Sequence, residues 1–267
     1  MTPTADELLT LAAETAREAG SLVVALRDRG VEVADTKSSP IDVVTEADRA
    51  CEDLIRERLL GVRPDDGFLG EEGDDIAGTS GVRWIVDPID GTVNYLYGLP
   101  HYAVSIAAAR DDEVVAGVVL SPVPGLEYAA TLGGGATCNG APLQVRPSPS
   151  LDQALVATGF GYETEVRTRQ AQAMARMLPQ VRDIRRQGSC ALDLCAVAAG
   201  QVDAYLEEGP HEWDYAAGGL IAREAGATVE IWTSVVGHDV VVCAPRAGWA
   251  GFAGLVRACG FVDGAST

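Results

Sequence analysis

The stretch Trp-Ile-Val-Asp-Pro-Ile-Asp-Gly-Thr, residues 84–92, sets two carboxylates three positions apart and follows the second with a glycine and a threonine. Trp84, Ile85 and Val86 have the character of a short buried strand, and Pro88 pushes Asp87 into an extended conformation, so the strand ends at a carboxylate. Proline has no N–H and a fixed φ, so the chain is expected to leave the sheet there, and Gly91 permits close approach of backbone to a ligand. Asp87 and Asp90 then converge. Two carboxylates brought together repel each other, and the remedies are a raised pKa on one of them or a bound cation.

Three more acidic sites stand out: Asp42 with Asp48, Glu71 with Glu72 in Phe-Leu-Gly-Glu-Glu-Gly, and Asp214 in His-Glu-Trp-Asp-Tyr-Ala-Ala-Gly. In a chain with 39 acidic residues most close pairs are surface charge. Phe68 and Leu69 running into Glu71, and Trp213 beside Asp214, argue instead for burial. An oxygen-rich, histidine-poor donor set suits Mg²⁺, which keeps several waters and shares its shell with substrate phosphate. The N–H groups of Gly91 and Thr92 suit a phosphate, as at a helix N-terminus. Two mechanisms fit such chemistry. Asp87 as a nucleophile would form an aspartyl-phosphate, as in haloacid-dehalogenase-type phosphatases, but their D-x-D-G-T signature needs the second aspartate two residues on, and Asp90 is three away across a proline. Metal activation of a water, with no covalent intermediate, is the preferred expectation.

The elements that must position these groups follow from periodicity. Thr4 and Glu7 have capping-box spacing, and Leu8, Leu9, Ala12, Ala16, Ala19 and Val23 follow at helical intervals. Residues 36–48 read as a loop whose Thr45 and Asp48 suit a second helix start, with Ala47, Cys51, Leu54, Ile55 and Leu59 as its apolar stripe. Two helices are thus expected before the first strand. Residues 84–145 change to short β-rich runs broken by turn residues, the pattern of antiparallel hairpins. After Arg-Pro-Ser-Pro-Ser strands and helices alternate, with helices near 164–178, 189–199 and 213–225 and one at the C-terminus, which suggests a separate α/β layer. The expected division is 1–145, an N-terminal half with the metal motifs, and 146–267, a half that completes the metal and substrate site.

Composition narrows the partners. At 267 residues and 47% apolar content the chain can bury a sizeable core. A formal charge of −19 makes a nucleic-acid backbone an unsuitable partner, and an anionic substrate needs metal to approach. Six cysteines without a C-x-x-C pair, and three histidines, argue against zinc and for reduced core thiols. The N-terminus lacks a basic region followed by an apolar one, and no apolar run reaches membrane-spanning length, so a cytoplasmic protein without membrane contact is expected.

The sequence resembles the inositol monophosphatases, within the lithium-sensitive metal-dependent phosphomonoesterases, and more closely their bacterial inositol-1-phosphatase branch. The resemblance runs chain-wide through KSSPIDVVTEAD (37–48), GEEG (70–73), WIVDPIDGTVNYLYGLPHYAVSIA (84–107), GSCALDLCAVAAGQVDAYLE (188–207) and WDYAAGGLIAREAGA (213–227). It implies an α/β (α+β) fold, the layered α/β/α/β/α sandwich of the inositol monophosphatase and fructose-1,6-bisphosphatase type, and a homodimer. It implies that Glu71, Asp87 and the Ile89 carbonyl hold one Mg²⁺ and Asp87, Asp90 and Asp214 a second, with a weaker third near Glu71. Thr92, with Asp48 or Glu71, would orient the attacking water, and the N–H groups of Gly91 and Thr92 would hold the phosphate. Ser189, Cys190 and Glu207 match positions that meet inositol hydroxyls. Cys190 departs from the alanine common there, which bears on substrate fit. The implied reaction is hydrolysis of myo-inositol 1-phosphate, inhibited by Li⁺. Fructose 1,6-bisphosphate, histidinol phosphate and 3′-phosphoadenosine 5′-phosphate are rival substrates, with Arg185 or Arg186 as the cation a second phosphate needs. A regulatory binding partner with incidental phosphatase activity is the alternative of another class.

Overall fold

A computed structural model describes residues 3–30, 33–36 and 43–262. Lys37 and Asp42, singled out from sequence, lie outside the described residues. In chain order the elements are α1 (Ala5–Arg29), β1 (Val33–Thr36), β2 (Val43–Thr45), α2 (Glu46–Val62), β3 (Gly67–Gly70), β4 (Val82–Asp90) and α3 (Thr92–Tyr97). Then come β5 (Ala103–Arg110), β6 (Glu113–Ser121), β7 (Leu126–Thr131), β8 (Gly135–Cys138), β9 (Ala141–Pro142), β10 (Leu155–Thr158) and α4 (Thr164–Met177). The chain finishes with β11 (Asp183–Arg185), α5 (Cys190–Ala198), β12 (Ala204–Glu208), α6 (Glu212–Glu224), β13 (Ala227–Thr233), β14 (Asp239–Pro245) and α7 (Trp249–Cys259).

Both expected capping boxes form. The Thr4 hydroxyl accepts the Glu7 N–H at 3.2 Å while the Glu7 carboxylate accepts the Thr4 N–H at 2.8 Å, and Thr45 and Asp48 do the same at the start of α2. These contacts satisfy N–H groups that the first helical turn leaves unpaired.

Two sheets carry the fold. One has seven strands in the order β3-β4-β5-β6-β7-β8-β9, antiparallel except for β3 on β4; the other has five in the order β11-β10-β12-β14-β13. Alternation along the strands sorts the core into layers. Trp84, Val86, Val104, Ile106 and Val118 pack against Leu8, Ala12, Ala16, Cys51 and Ile55 of α1 and α2. From the opposite face of the same sheet, Ile85, Ala107 and Val119 meet Leu192, Cys195, Ala217 and Leu220 of α5 and α6. A β-carbon at Gly117 would lie 3.0 Å from the Ala217 backbone, so glycine there lets α6 approach the sheet closely. Those two helices also cover the five-stranded sheet through Leu194 and Val197 of α5 and Ala222 of α6, against Ala157, Tyr205 and Val241. The far side of that sheet is closed by Met174 and Met177 of α4 and by Phe252, Leu255 and Val256 of α7. The result is the expected α/β/α/β/α order. The sheets divide at the Pro-Ser stretch near residue 146, but α5 and α6 pack against both.

Two expectations are corrected. Residues 33–45 include a two-stranded antiparallel ribbon, β1 on β2, and β3 also comes before Trp84, so three strands precede the motif strand. Pro88 does not end that strand: the register with β5 runs through Asp87↔Ser105, shifts, and resumes at Asp90↔Ala103. A proline removes one ladder donor, and a bulge absorbs that loss without ending the pairing. All six cysteines are free, five of them buried, as expected for core thiols. Among the described residues no helix is long and apolar enough to cross a membrane.

Candidate active site

The Pro88 bulge turns the end of β4 so that two of its carboxylates face one point. Asp87 Oδ1 accepts the Ile89 N–H at 2.9 Å, and the Cys51 thiol, on α2, contacts the Pro88 carbonyl at 3.4 Å, which ties the bulge to the helix behind it. Asp90 docks on the start of α5: it accepts the Ser189 hydroxyl at 2.5 Å, the Ala191 N–H at 2.7 Å and the Cys190 N–H at 3.2 Å. A carboxylate there meets the positive end of the helix. Asp214, in the first turn of α6, accepts the His211 N–H at 2.6 Å. One oxygen each from Asp87, Asp90 and Asp214 lies within 4.8 Å of the others.

Burial pushes Asp87 and Asp214 well above the usual carboxylate range, and the charge of Glu71 adds to this at both. Burial raises Asp90 too, to about 7, while its bonds from Ser189 and Ala191 oppose the rise. Four crowded carboxylates cannot all ionise without a positive partner. The donors are all oxygen, so a hard divalent cation such as Mg²⁺ fits the site better than zinc or copper.

Asp48 is fully buried in the first turn of α2, and burial raises its pKa to about 7. Its Oδ2 accepts both the N–H and the hydroxyl of Thr45, at 2.8 and 2.5 Å. Its Oδ1 and the Ile89 carbonyl each lie 3.1 Å from the Thr92 hydroxyl, whose single proton goes to one of them at a time. Asp48 therefore reaches the cavity through Thr92. Gly91, at φ 96°, turns the chain into α3. A β-carbon there would stand 2.9 Å from the Gly188 carbonyl oxygen and 3.1 Å from that of His101, so the position needs glycine on both counts.

A cavity of about 710 Å³ opens above this floor. Its lining includes Glu71, Asp87, Ile89, Asp90, Gly91, Thr92 and Asp214, the group around the carboxylate triad taken as its base, together with Cys190, Glu207 and Arg186. Ser189 is placed differently from the other sequence candidates: it is buried beneath Asp90, with its hydroxyl committed there and its oxygen capping α5 through the Leu192 N–H. Arg185 pairs with Asp183 on the surface at 2.6 Å, which leaves Arg186 as the guanidinium on the cavity wall. Glu208, next to Glu207, is buried in an ion pair with Arg169.

Several contributors have no role that the sequence suggests. Glu52 is buried one turn beyond Asp48 and accepts the Glu72 N–H at 2.8 Å and an Arg56 N–H at 2.8 Å. β-Carbons at Gly70 and Gly73 would fall 2.4 and 2.7 Å from its carboxylate oxygens, so the Gly-Glu-Glu-Gly motif is shaped to fold around Glu52. The spacing of Asp48 and Glu52, four residues apart on one helix face, is the signal that could have found it. Asn94 joins the turn after Gly91 to the approach to α5, donating to the carbonyls of His101 and Gln187 at 2.7 Å each. Of the other residues on the wall, His211 and Trp213 flank the Asp214 motif, whereas Phe160, Tyr162 and His238 fall in no motif.

Fold and site together define a class, a phosphatase built to work with metal held by carboxylates. Comparison with known proteins agrees. The sequence model of the inositol monophosphatase family matches residues 4–259. An inositol-1-monophosphatase of Mycobacterium bovis is 46% identical over 236 residues, which cover 85% of this chain and 78% of the relative. A Nus factor SuhB of Escherichia coli is 36% identical over 237 residues, 88% of each chain. The solved structure of Mycobacterium tuberculosis SuhB superposes with a TM-score of 0.84 at 39% identity, covering 97% of this chain and 99% of that one. The chain belongs to the inositol monophosphatase family.

Proposed function

We propose that the protein is a cytoplasmic, homodimeric, Mg²⁺-dependent phosphomonoesterase that hydrolyses myo-inositol 1-phosphate to inositol and phosphate. The observation that carries this reading is a cavity with a carboxylate triad at its base and Glu207 on its wall. Glu71, Asp87, Asp90, Asp214 and the Ile89 carbonyl are the groups that would hold two to three ions. Bound there, the metal supplies charge that makes a water nucleophilic near neutral pH and neutralises the leaving oxygen. The chain does the rest. The N–H groups of Gly91 and Thr92 hold the phosphate at the start of the α3 turn. Thr92, backed by Asp48, orients the water and passes its proton inward. Glu207 and the backbone around Cys190 take hydroxyls of the leaving alcohol. Arg186 is one guanidinium facing acidic neighbours, a weaker provision than a bisphosphate substrate needs.

The test is phosphate release by the purified protein with Mg²⁺ on inositol 1-phosphate, fructose 1,6-bisphosphate, histidinol phosphate and 3′-phosphoadenosine 5′-phosphate, each with and without Li⁺. A kcat/KM preference for inositol 1-phosphate that Li⁺ suppresses supports the proposal. Preference for another ester moves the substrate and keeps the chemistry. Sedimentation of the purified protein checks the dimer. A second reading, a binding role, draws on the name Nus factor carried by relatives. It predicts capture of a transcription complex that Asp90→Asn leaves undiminished.

A further inference from the structure

We infer that Tyr205 and Gly159 are positioning residues that fix the Glu207 carboxylate in the cavity and thereby set the preference for a polyhydroxylated leaving group. This rests on the polyol reading of Glu207 given above.

Alternation along β12 turns Ala204 and Leu206 to the outer layer, with α4 and α7, and Tyr205 and Glu207 to the inner one. Tyr205 has no exposed surface, and its ring belongs to an apolar cluster with Cys190, Leu194, Val241 and Cys243. A phenol buried among such neighbours needs a partner for its hydroxyl. It donates to Glu207 Oε2 at 2.7 Å, two residues along the same strand face. A carboxylate has about four acceptor positions. One phenol leaves the others for substrate hydroxyls.

Gly159 holds the carboxylate from the other side. It directly follows β10, the strand that pairs in parallel with β12 through Thr158↔Leu206. A β-carbon at Gly159 would lie 2.0 Å from Glu207 Oε2 and 2.1 Å from its carboxyl carbon. The carboxylate occupies the space that the missing side chain leaves. Gly159 is not in the left-handed region, so alanine suits its backbone, and the three atoms nearest to the added β-carbon all belong to the Glu207 carboxylate. Burial pushes the Glu207 pKa up, and the Tyr205 hydroxyl and the Arg186 charge oppose that. A glutamate held in place before substrate arrives avoids the entropy cost of ordering a long side chain on binding.

The experiment is steady-state kinetics on myo-inositol 1-phosphate with Mg²⁺, for wild type, Glu207→Gln, Tyr205→Phe, the double variant and Gly159→Ala, each with its melting temperature. Glu207→Gln and Tyr205→Phe are each expected to raise KM about five- to tenfold, with kcat changed less than about twofold. The double variant should be no worse than Glu207→Gln alone, the signature of one residue acting through the other. Gly159→Ala should reproduce the KM effect while Tyr205 is intact, and it carries the test if Tyr205→Phe does not fold. Multiplying effects in the double variant overturn the positioning role, as does an unchanged KM in Tyr205→Phe or a loss confined to kcat. A Glu207→Gln enzyme with wild-type KM overturns the polyol reading itself, and the inference with it.

Discussion

The base of the cavity and its outer wall are built by different means. At the base, carboxylates are locked by backbone donors. Asp87 takes the Ile89 N–H, Asp90 the start of α5, Asp214 the His211 N–H and Asp48 that of Thr45. Each donor lies within a few residues of its acceptor or at the end of a packed helix, so the positions follow from the layers themselves. The wall at residues 160–163 hangs on side chains. Gln170 accepts the Gly161 N–H at 3.1 Å and donates to the Glu208 carbonyl at 3.0 Å, and Arg167 donates to the Gly161 carbonyl at 3.0 Å. Another part of the wall, residues 237–239, comes from the hairpin between β13 and β14, whose Val235 and Val236 are exposed. Changes at the base should therefore stop the chemistry, whereas changes in the wall should retune which alcohol leaves.

The largest effects test the base. Asp90→Asn preserves shape and an acceptor oxygen for α5 but removes a charge from the triad. Activity should fall about a thousandfold or more with the fold retained, as judged by kcat/KM beside circular dichroism. Survival of even a tenth of the rate contradicts the assigned role. Gly91→Ala is expected to cost about a hundredfold, the scale of a displaced positioning group. It forces a β-carbon against two backbone carbonyls and asks alanine to adopt φ 96°, displacing the N–H groups proposed to hold phosphate. Inorganic phosphate should also inhibit this variant more weakly than wild type.

An intermediate effect concerns the charge of the base itself. In the metal-free protein the folded-state pKa values of Asp48 and Asp90 are raised to about 7, and those of Asp87 and Asp214 are raised well above the usual carboxylate range. The folded state then binds more protons than the unfolded chain between about pH 4 and 7. Stability from these groups is full below the unfolded value and lost as pH rises through the folded one. The melting temperature in EDTA should therefore drop by several degrees from about pH 5 to about pH 7.5, and Mg²⁺ should raise it more at the higher pH than at the lower. A melting temperature in EDTA that is flat with pH would show that the carboxylates are not forced together as described.

Legibility in the sequence follows the same divide. Asp87 and Asp90 can be read because they flank Pro88 after the apolar run 84–86 and precede Gly91, Asp214 because Trp213 adjoins it before an Ala-Ala-Gly-Gly stretch, and Thr4 and Thr45 announce their helices through local capping. The layer order comes from the family resemblance, since periodicity gives elements and not their stacking. β1 and β2 are not legible because strands of four and three residues, rich in Asp, Thr and Val, carry too little alternation to separate them from loop. Glu52 shares a helix face with Asp48, but its burial depends on contact with the Gly-Glu-Glu-Gly segment some twenty residues later. Ser189 is legible as a residue near the site, but its commitment to Asp90 depends on a contact 99 residues away in the chain.

The smallest effect tests the wall. Phe160 and His238 both line it, and neither side chain hydrogen-bonds to Asp87, Asp90 or Asp214, so their truncation removes surface without removing charge from the base. Phe160→Ala and His238→Ala should each keep kcat on inositol 1-phosphate within about twofold while shifting the kcat/KM ratio between that ester and the bulkier 3′-phosphoadenosine 5′-phosphate by about threefold to tenfold, the scale on which a reshaped apolar pocket discriminates between leaving groups. If the ratio holds and both rates fall together, the wall supports the base mechanically, and the division between a rigid floor that performs the chemistry and a looser wall that selects the alcohol fails.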